Sequence, residues 1–321
     1  MVMASRASRQ RASSGEPTAA LGDSHAGAPD WSSVPCSRDS FVALVRQRGA
    51  ELYRDLPWRN IDDAYGVLVS EVMLQQTQVA RVERYWSRWM ALFPTVDALA
   101  SADTATVLEM WQGLGYNRRA LALKRACETC SREWAGALPR TVADLVSLPG
   151  VGPATAGGVV AFAYNQPCIY VETNVRSVFL HELFPEEEGV PDKVIEPFVA
   201  DACPAADVRG WYYALLDYGA HLKTQVANPS RRSAHYARQS AFSGSRREKR
   251  SFLLKQVLAC PEGLSVAEAQ SALDAYERQA GRPAVERDVF ESILSELLSE
   301  GFFRQSGDLL RAYGDAGEKR V

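Results

Sequence analysis

The chain has 321 residues and a formal net charge of −3, and 46% of its residues are hydrophobic and 23% charged. These values fit a globular protein of about two domains; no apolar run approaches the ~20 residues a membrane span needs, and no apolar core follows the basic N-terminus as in a secretory signal. Six cysteines, at 36, 127, 130, 168, 203 and 260, do not read as a disulfide framework in a chain this long, which points to a reducing, cytoplasmic setting.

Residues 1–35 are rich in Ser, Ala, Gly and Pro, show no sustained period, and are expected to form a disordered tail. From Phe41 to Gly219 the pattern is helical, punctuated by glycine and proline, with no clear alternating strand. Leu68, Val72, Val79, Val82, Trp86 and Met90 mark one apolar stripe, interrupted at Gln75. The segment TVADLV (141–146) carries a capping-box signal in Thr141 and Asp144, and Ala154 to Ala163 predicts a helix of small residues suited to close packing. Cys127 and Cys130 lie in a helical stretch with no second pair nearby, so no metal site is expected there. From Asn228 to Arg250 the chain turns basic and loses its apolar period.

Beyond residue 250, SFLLKQVLA, SVAEAQSALDAYERQ and ERDVFESILSELLSEG predict three helices. FFRQSGDLLRAY predicts a hairpin turning at Ser306-Gly307-Asp308. Three helices and a hairpin suggest a small winged-helix-like domain, either a packing module or a DNA-binding one. Its acidic balance argues against its being the main contact with DNA.

The string LPGVGPATAG (148–157) joins two helical segments, so helix, LPGVG and helix form a helix-hairpin-helix. Gly150 and Gly152 permit φ > 0 and remove side chains from the turn. Backbone N–H groups at the start of the second helix then face outward and, with the helix dipole, make an anion site. A nucleic-acid phosphate suits such a cradle, held without reading sequence. A purely steric need for glycine in a tight turn is the other reading of the same residues.

Three strings occur in order: LPWRNIDDAYGVLVSEVMLQQTQV (56–79), MWQGLGYNRRA (110–120) and LPGVGPATAGG (148–158). Together they resemble the helix-hairpin-helix (HhH-GPD) DNA glycosylase superfamily, and within it the A/G-specific adenine DNA glycosylases. The resemblance covers roughly residues 38–225. It implies a mainly α, two-lobed glycosylase core at 36–225, preceded by the 1–35 tail. A basic DNA-binding segment or linker follows at 226–250, then the winged-helix-like domain at 251–316.

Breaking an N-glycosidic bond needs a proton for the departing base and negative charge near the sugar cation, which two carboxylates facing one sugar supply. The resemblance implies that Glu71 is the general acid. Glu172, in YVETNV, stands where the family has aspartate, keeping the charge on a longer arm. Asn174 would hold a nearby phosphate or orient that carboxylate. Ala154 stands where bifunctional relatives place an imine-forming lysine, so no strong lyase activity is expected.

A flipped base leaves a hole that wedging side chains fill; by resemblance these are Gln76 and Tyr116. Trp58 and Arg59 would wall the base pocket. Tyr213 stands where relatives often place a base-contacting Glu or Gln, which sets adenine specificity in question. Many relatives bind a [4Fe–4S] cluster through C-x6-C-x2-C-x5-C. The matching positions here are Lys223, Ser230, Ser233 and Gln239, so no cluster and no other cofactor is expected. In its place Arg231, Arg232 and Arg238 are candidate phosphate contacts. The family's β-rich partner domain, which inspects 8-oxoguanine, cannot be built from three helices and a hairpin.

The expected activity is therefore monofunctional hydrolysis of a mispaired base, foremost adenine, from double-stranded DNA in base excision repair. The alternatives are removal of uracil or thymine opposite guanine, and a non-catalytic lesion binder. A monomer is expected, cytoplasmic and, in a bacterium, nucleoid-associated, without membrane contact.

Overall fold

The computed structural model describes residues 28–313. A 3-10 turn at Trp31–Ser33 precedes α1 (Arg38–Leu52), α2 (Ala64–Leu74), α3 (Val79–Leu92), α4 (Val96–Ser101), α5 (Thr104–Trp111), α6 (Arg118–Glu133) and α7 (Val142–Val146). The chain continues through α8 (Pro153–Tyr164), α9 (Thr173–Glu182), α10 (Asp192–Ala202), α11 (Val208–Gln225) and a 3-10 turn at Pro229–Arg232. It closes with α12 (Arg246–Leu258), β1 (Leu264–Ser265), α13 (Val266–Gln279), α14 (Arg287–Ser299), β2 (Phe303–Ser306) and β3 (Leu309–Ala312). No helix among the described residues is long and apolar enough to cross a membrane.

Short polar residues start these helices by accepting the first free N–H groups. Asp63 accepts from Tyr65 N and Gly66 N to open α2, and Thr141 Oγ1 accepts from Asp144 N to open α7. Ser265 and Glu268 form a reciprocal capping box at α13. The apolar stripe proves to be two helices, α2 and α3, broken at Gln75–Gln78. Helix α2 is buried on nearly all sides, with Tyr65 to Ser70, Val72 and Met73 in the core. Glu71 is the one carboxylate within it.

The core has two lobes. In one, α2 packs on α3 and α8, and α6 packs on α4 and α5; in the other, α11 packs against α1 and α9, and α9 against α10. Helix α8 touches α11, which joins the lobes. Van der Waals packing of Trp89, Trp111, Trp211 and Phe179, all fully buried, fills the two interiors.

The C-terminal unit runs helix, strand, helix, helix, strand, strand, with antiparallel strands in the order β1-β3-β2. That is a winged-helix order. The two-residue β1, pairing Leu264 with Leu310, is too short to leave a period-2 pattern in the sequence. Its third helix does not offer a basic face: Glu296 pairs with Arg246 and Arg250 at 2.6 Å. Glu300, just past α14, pairs with Arg250 at 2.7 Å and with Arg118 of the core.

Two expectations need correction. The part of the 1–35 tail within the described residues is ordered from Trp31: its Nε1 donates to Asp201 at 2.9 Å and its ring lies edge-on to Phe198 at 5.0 Å. An indole with both an apolar wall and an acceptor docks where a Ser/Gly-rich segment alone would not; residues 1–27 lie outside the described residues. The basic stretch 226–250 also ends earlier than expected. Ser245 caps α12, so Arg246 and Arg250 belong to the C-terminal unit and face its acids rather than a phosphate.

Candidate active site

The hairpin at 148–152 is formed as the glycines predict, but they act differently. Gly150 has φ +74°, and a Cβ there would lie 2.5 Å from Ala122 Cβ. Gly152 is the extended N-cap of α8, with φ −89° and open space around it. Its bareness exposes backbone N–H groups; it is not needed for a left-handed turn.

Helix α8 runs from that turn along α2, and its small residues allow a close approach. A Cβ on Gly158 would lie 2.2 Å from Glu71 Oε2. The carboxyl of Glu71 thus rests on bare backbone, beside a cavity of about 330 Å³. The cavity is lined by Trp58, Arg59, Gln76, Glu172, Asn174 and Tyr213, among others. Structure therefore gathers both carboxylates, both pocket-wall residues, one wedge residue and Tyr213 around one space of ligand size.

The two carboxylates have unlike surroundings. Burial, then the nearby Glu172, pushes Glu71 up to about 8. Its hydrogen-bond partner is Tyr170, whose OH donates to Oε2 at 3.3 Å. Glu172 is the N-cap of α9, and its Oε1 accepts from Val175 N at 3.0 Å and from Asn174 N. Burial raises Glu172 too, but those N–H groups, Lys223 and Arg176 act against it. Glu71 has no cation opposing its burial, so Glu172 ionises first and Glu71 keeps its proton at neutral pH.

The pocket wall is a stack. Tyr213 lies parallel to Phe162 at 4.8 Å, and the Arg59 guanidinium sits 4.3 Å from the Tyr213 ring centroid. Arg59 is itself bidentate to Asp217, at 2.7 and 2.8 Å, and both are buried. Its charge is balanced inside the protein, so it acts as a flat rigid wall. Trp58 is buried beside it, edge-on to Trp86 at 6.3 Å.

Gln76 and Tyr116 sit on separate loops, both exposed and both with left-handed backbones, φ +57° and +48°. Non-glycine residues hold this conformation only when their surroundings fix it. Arg119 does so. Its Nη1 donates to the carbonyls of Val72, Met73 and Gln75 at 2.6–2.9 Å. Its Nη2 donates to Thr77 Oγ1, Leu114 O and Gly115 O at 2.9–3.1 Å. One guanidinium thus clasps both loops. The Tyr116 hydroxyl also accepts from Gln239 and Arg247, which brings the linker and the C-terminal unit to its edge.

The four positions matched to cluster ligands do not fit an iron–sulfur cluster. Lys223 Nζ donates to Asn174 Oδ1 at 2.7 Å, Ser230 Oγ to Asn228 at 2.8 Å, and Gln239 to Tyr116. Ser233 Oγ accepts from His235 N. Amine, hydroxyls and amide are each held by a different partner, and none is a thiolate. Arg232 is corrected as a phosphate contact: it donates to Leu180 O at 2.7 Å and to Phe184 O, at the end of α9. Those carbonyls lack helical partners, so a cation there satisfies the helix end. Arg231 and Arg238 are exposed.

Sequence reasoning missed Tyr170, Gly158, Arg119 and Asp217, and read Lys223 only as the occupant of a cluster-ligand position. Tyr170 alone had a local signal, since residues two apart in an extended segment share a face and Tyr170 precedes Glu172 by two.

Residues 69–198 match the family model described as HhH-GPD superfamily base excision DNA repair protein. Over 126 residues the chain is 48% identical to the adenine DNA glycosylase of Mycolicibacterium smegmatis, covering 39% of this chain and 43% of that protein. It is 44% identical over 158 residues to the human adenine DNA glycosylase, covering 46% of this chain and 28% of that one. The chain thus spans less than half the length of these curated relatives. Among solved structures, a thermostable thymine-DNA glycosylase superposes with a TM-score of 0.51 at 21% identity, covering 57% of this chain and 86% of that one. At that identity the likeness is one of fold.

Proposed function

We propose that this chain, which carries an HhH-GPD domain, is a monofunctional DNA glycosylase that hydrolyses the N-glycosidic bond of a mispaired base in duplex DNA. Adenine is the leading base, supported by relatives named adenine DNA glycosylase. The carrying observation is the pair of carboxyl groups at one cavity in unlike surroundings: Glu71 raised by burial and by Glu172, and Glu172 with backbone N–H groups, Lys223 and Arg176 working against its burial.

Such a pair runs a hydrolysis in order. Glu71 gives its proton to a ring nitrogen of the flipped purine, and the C1′–N9 bond breaks with its electron pair leaving on the base. The sugar becomes a cation, which the Glu172 carboxylate stabilises. Glu71, now ionised, takes a proton from water, and the oxygen bonds to C1′. The products are free base and an abasic site. Ala154 lines the cavity and, among the described residues, no lysine does, so none of them offers an amine to form an imine with the sugar. The chemistry needs no cluster. The hairpin's N–H groups and exposed Arg231 and Arg238 would take the phosphates of double-stranded DNA, by a monomer in the cytoplasm.

The test is base release from duplexes carrying A, U or T in mispairs, by wild type and Glu71→Gln. Wild type should release adenine. Glu71→Gln should lose more than the roughly 10²–10⁴ of proton transfer alone while still binding. Undiminished turnover by Glu71→Gln ends the assignment of the acid. Mismatch binding by wild type with no release from any duplex replaces the enzyme with a lesion binder.

A further inference from the structure

Glu172 must stay ionised beside Glu71, and two features of α11 bear on how. Gly219 brings α11 against the first turn of α9: a Cβ there would lie 2.2 Å from Asn174 O. One helical turn further along, Lys223 reaches back and its Nζ donates to Asn174 Oδ1 at 2.7 Å. An ammonium only donates, so it fixes which end of the Asn174 amide faces it. The other end, Nδ2, is then turned to Glu172 Oε2 at 3.4 Å, while the Asn174 backbone N–H donates to Oε1.

We infer that Lys223 is a positioning residue for Glu172, orienting the carboxylate through Asn174 and supplying the positive charge beside it. The inference rests on the glycosylase reading above. Other charged or titratable groups facing Glu172 do not replace it. Glu71 and Tyr170 on the cavity side are themselves raised by Glu172 and offer it no positive charge. Arg176 on α9 is bidentate to Asp192 of α10, at 2.6 and 2.7 Å. Lys223 is half-buried, and burial lowers its own proton affinity while Glu172 restores part of it. Lys223 and Glu172 thus form one unit, bridged by Asn174.

The variants are Lys223→Met, which removes charge and donor, Lys223→Gln, which keeps a donor without charge, and Lys223→Arg, which keeps both. Single-turnover excision is measured against pH, alongside duplex affinity and an NMR titration of the Glu172 carboxyl in the free protein. In Lys223→Met the acid limb should move to higher pH, because the carboxylate becomes harder to ionise. A one-unit move is roughly a tenfold lower rate below the limb. Lys223→Arg should restore the limb, Lys223→Gln should fall between, and duplex affinity should stay within about twofold of wild type with an unchanged salt slope, because no phosphate contact is lost. Superimposable pH profiles, or weaker binding with an unchanged profile, overturn the proposal and make Lys223 a phosphate contact. If wild type excises nothing, the glycosylase reading fails by itself. The carboxyl titration then decides: an unshifted Glu172 in Lys223→Met overturns the role of Lys223 as well.

Discussion

Glu71 and Gly158 are fitted to each other: the acid's Oε2 occupies space that any side chain at 158 would need, 2.2 Å from where its Cβ would stand. Helix α8 therefore serves two ends of the site. Its N-terminus opens the hairpin, and its middle sets the depth of the acid.

Gly158→Ala tests that fit. The added methyl must push the Glu71 carboxyl or separate α2 from α8. A displacement near 1 Å costs roughly a hundredfold in rate. Excision should fall by about that factor, with duplex affinity within about twofold, because the hairpin N–H groups lie a turn away. An unchanged single-turnover rate would show that Glu71 is not held by this contact.

Glu71 also makes stability depend on pH. Its folded value of about 8 lies above the unfolded glutamate value of about 4.3. Its contribution is thus fully present below the unfolded value and is lost as pH rises towards 8. Glu71→Gln removes this loss. Its melting temperature should exceed that of wild type by a few degrees at pH 8, and the difference should vanish by about pH 4. Equal melting curves at pH 8 would place the Glu71 carboxyl in contact with solvent.

Arg119→Lys leaves three donors for six acceptors and cannot bridge both loops in one plane. A loss of about 2–4 kcal/mol is expected, from several charge-assisted bonds. Excision from a paired duplex should fall more than about tenfold, while release of a base already unpaired changes little, since wedging matters only when a stack must be opened. Equal losses on both substrates would make Arg119 a stability residue only.

Arg232 and its neighbours separate two kinds of cation. Arg231→Ala and Arg238→Ala should each lower the salt slope of duplex binding by roughly 0.9, as one released counterion does. Arg232→Ala should leave the slope unchanged but cost about 1–3 kcal/mol, because Leu180 O and Phe184 O lose a charged donor. Salt-dependent binding and thermal melts of the three variants distinguish these outcomes.

The sequence by itself determined what local pattern encodes. Thr141 as a cap, Gly150 in the turn, the three C-terminal helices and the hairpin at Gly307 were legible, because each depends on residues within a few positions. The strings around Glu71, Tyr116 and Gly150 gave the core and its carboxylate pair by resemblance. Tertiary structure alone decided which charges are free. Arg232, Arg246 and Arg250 read as one basic run, yet each meets acceptors dozens of residues away. It alone set Gly158 against Glu71, Gly219 against Asn174, and Arg119 between two loops. The physical reason is range. Caps and turns are satisfied by neighbours in sequence, whereas proton affinity and side-chain reach depend on what distant helices bring within a few ångströms.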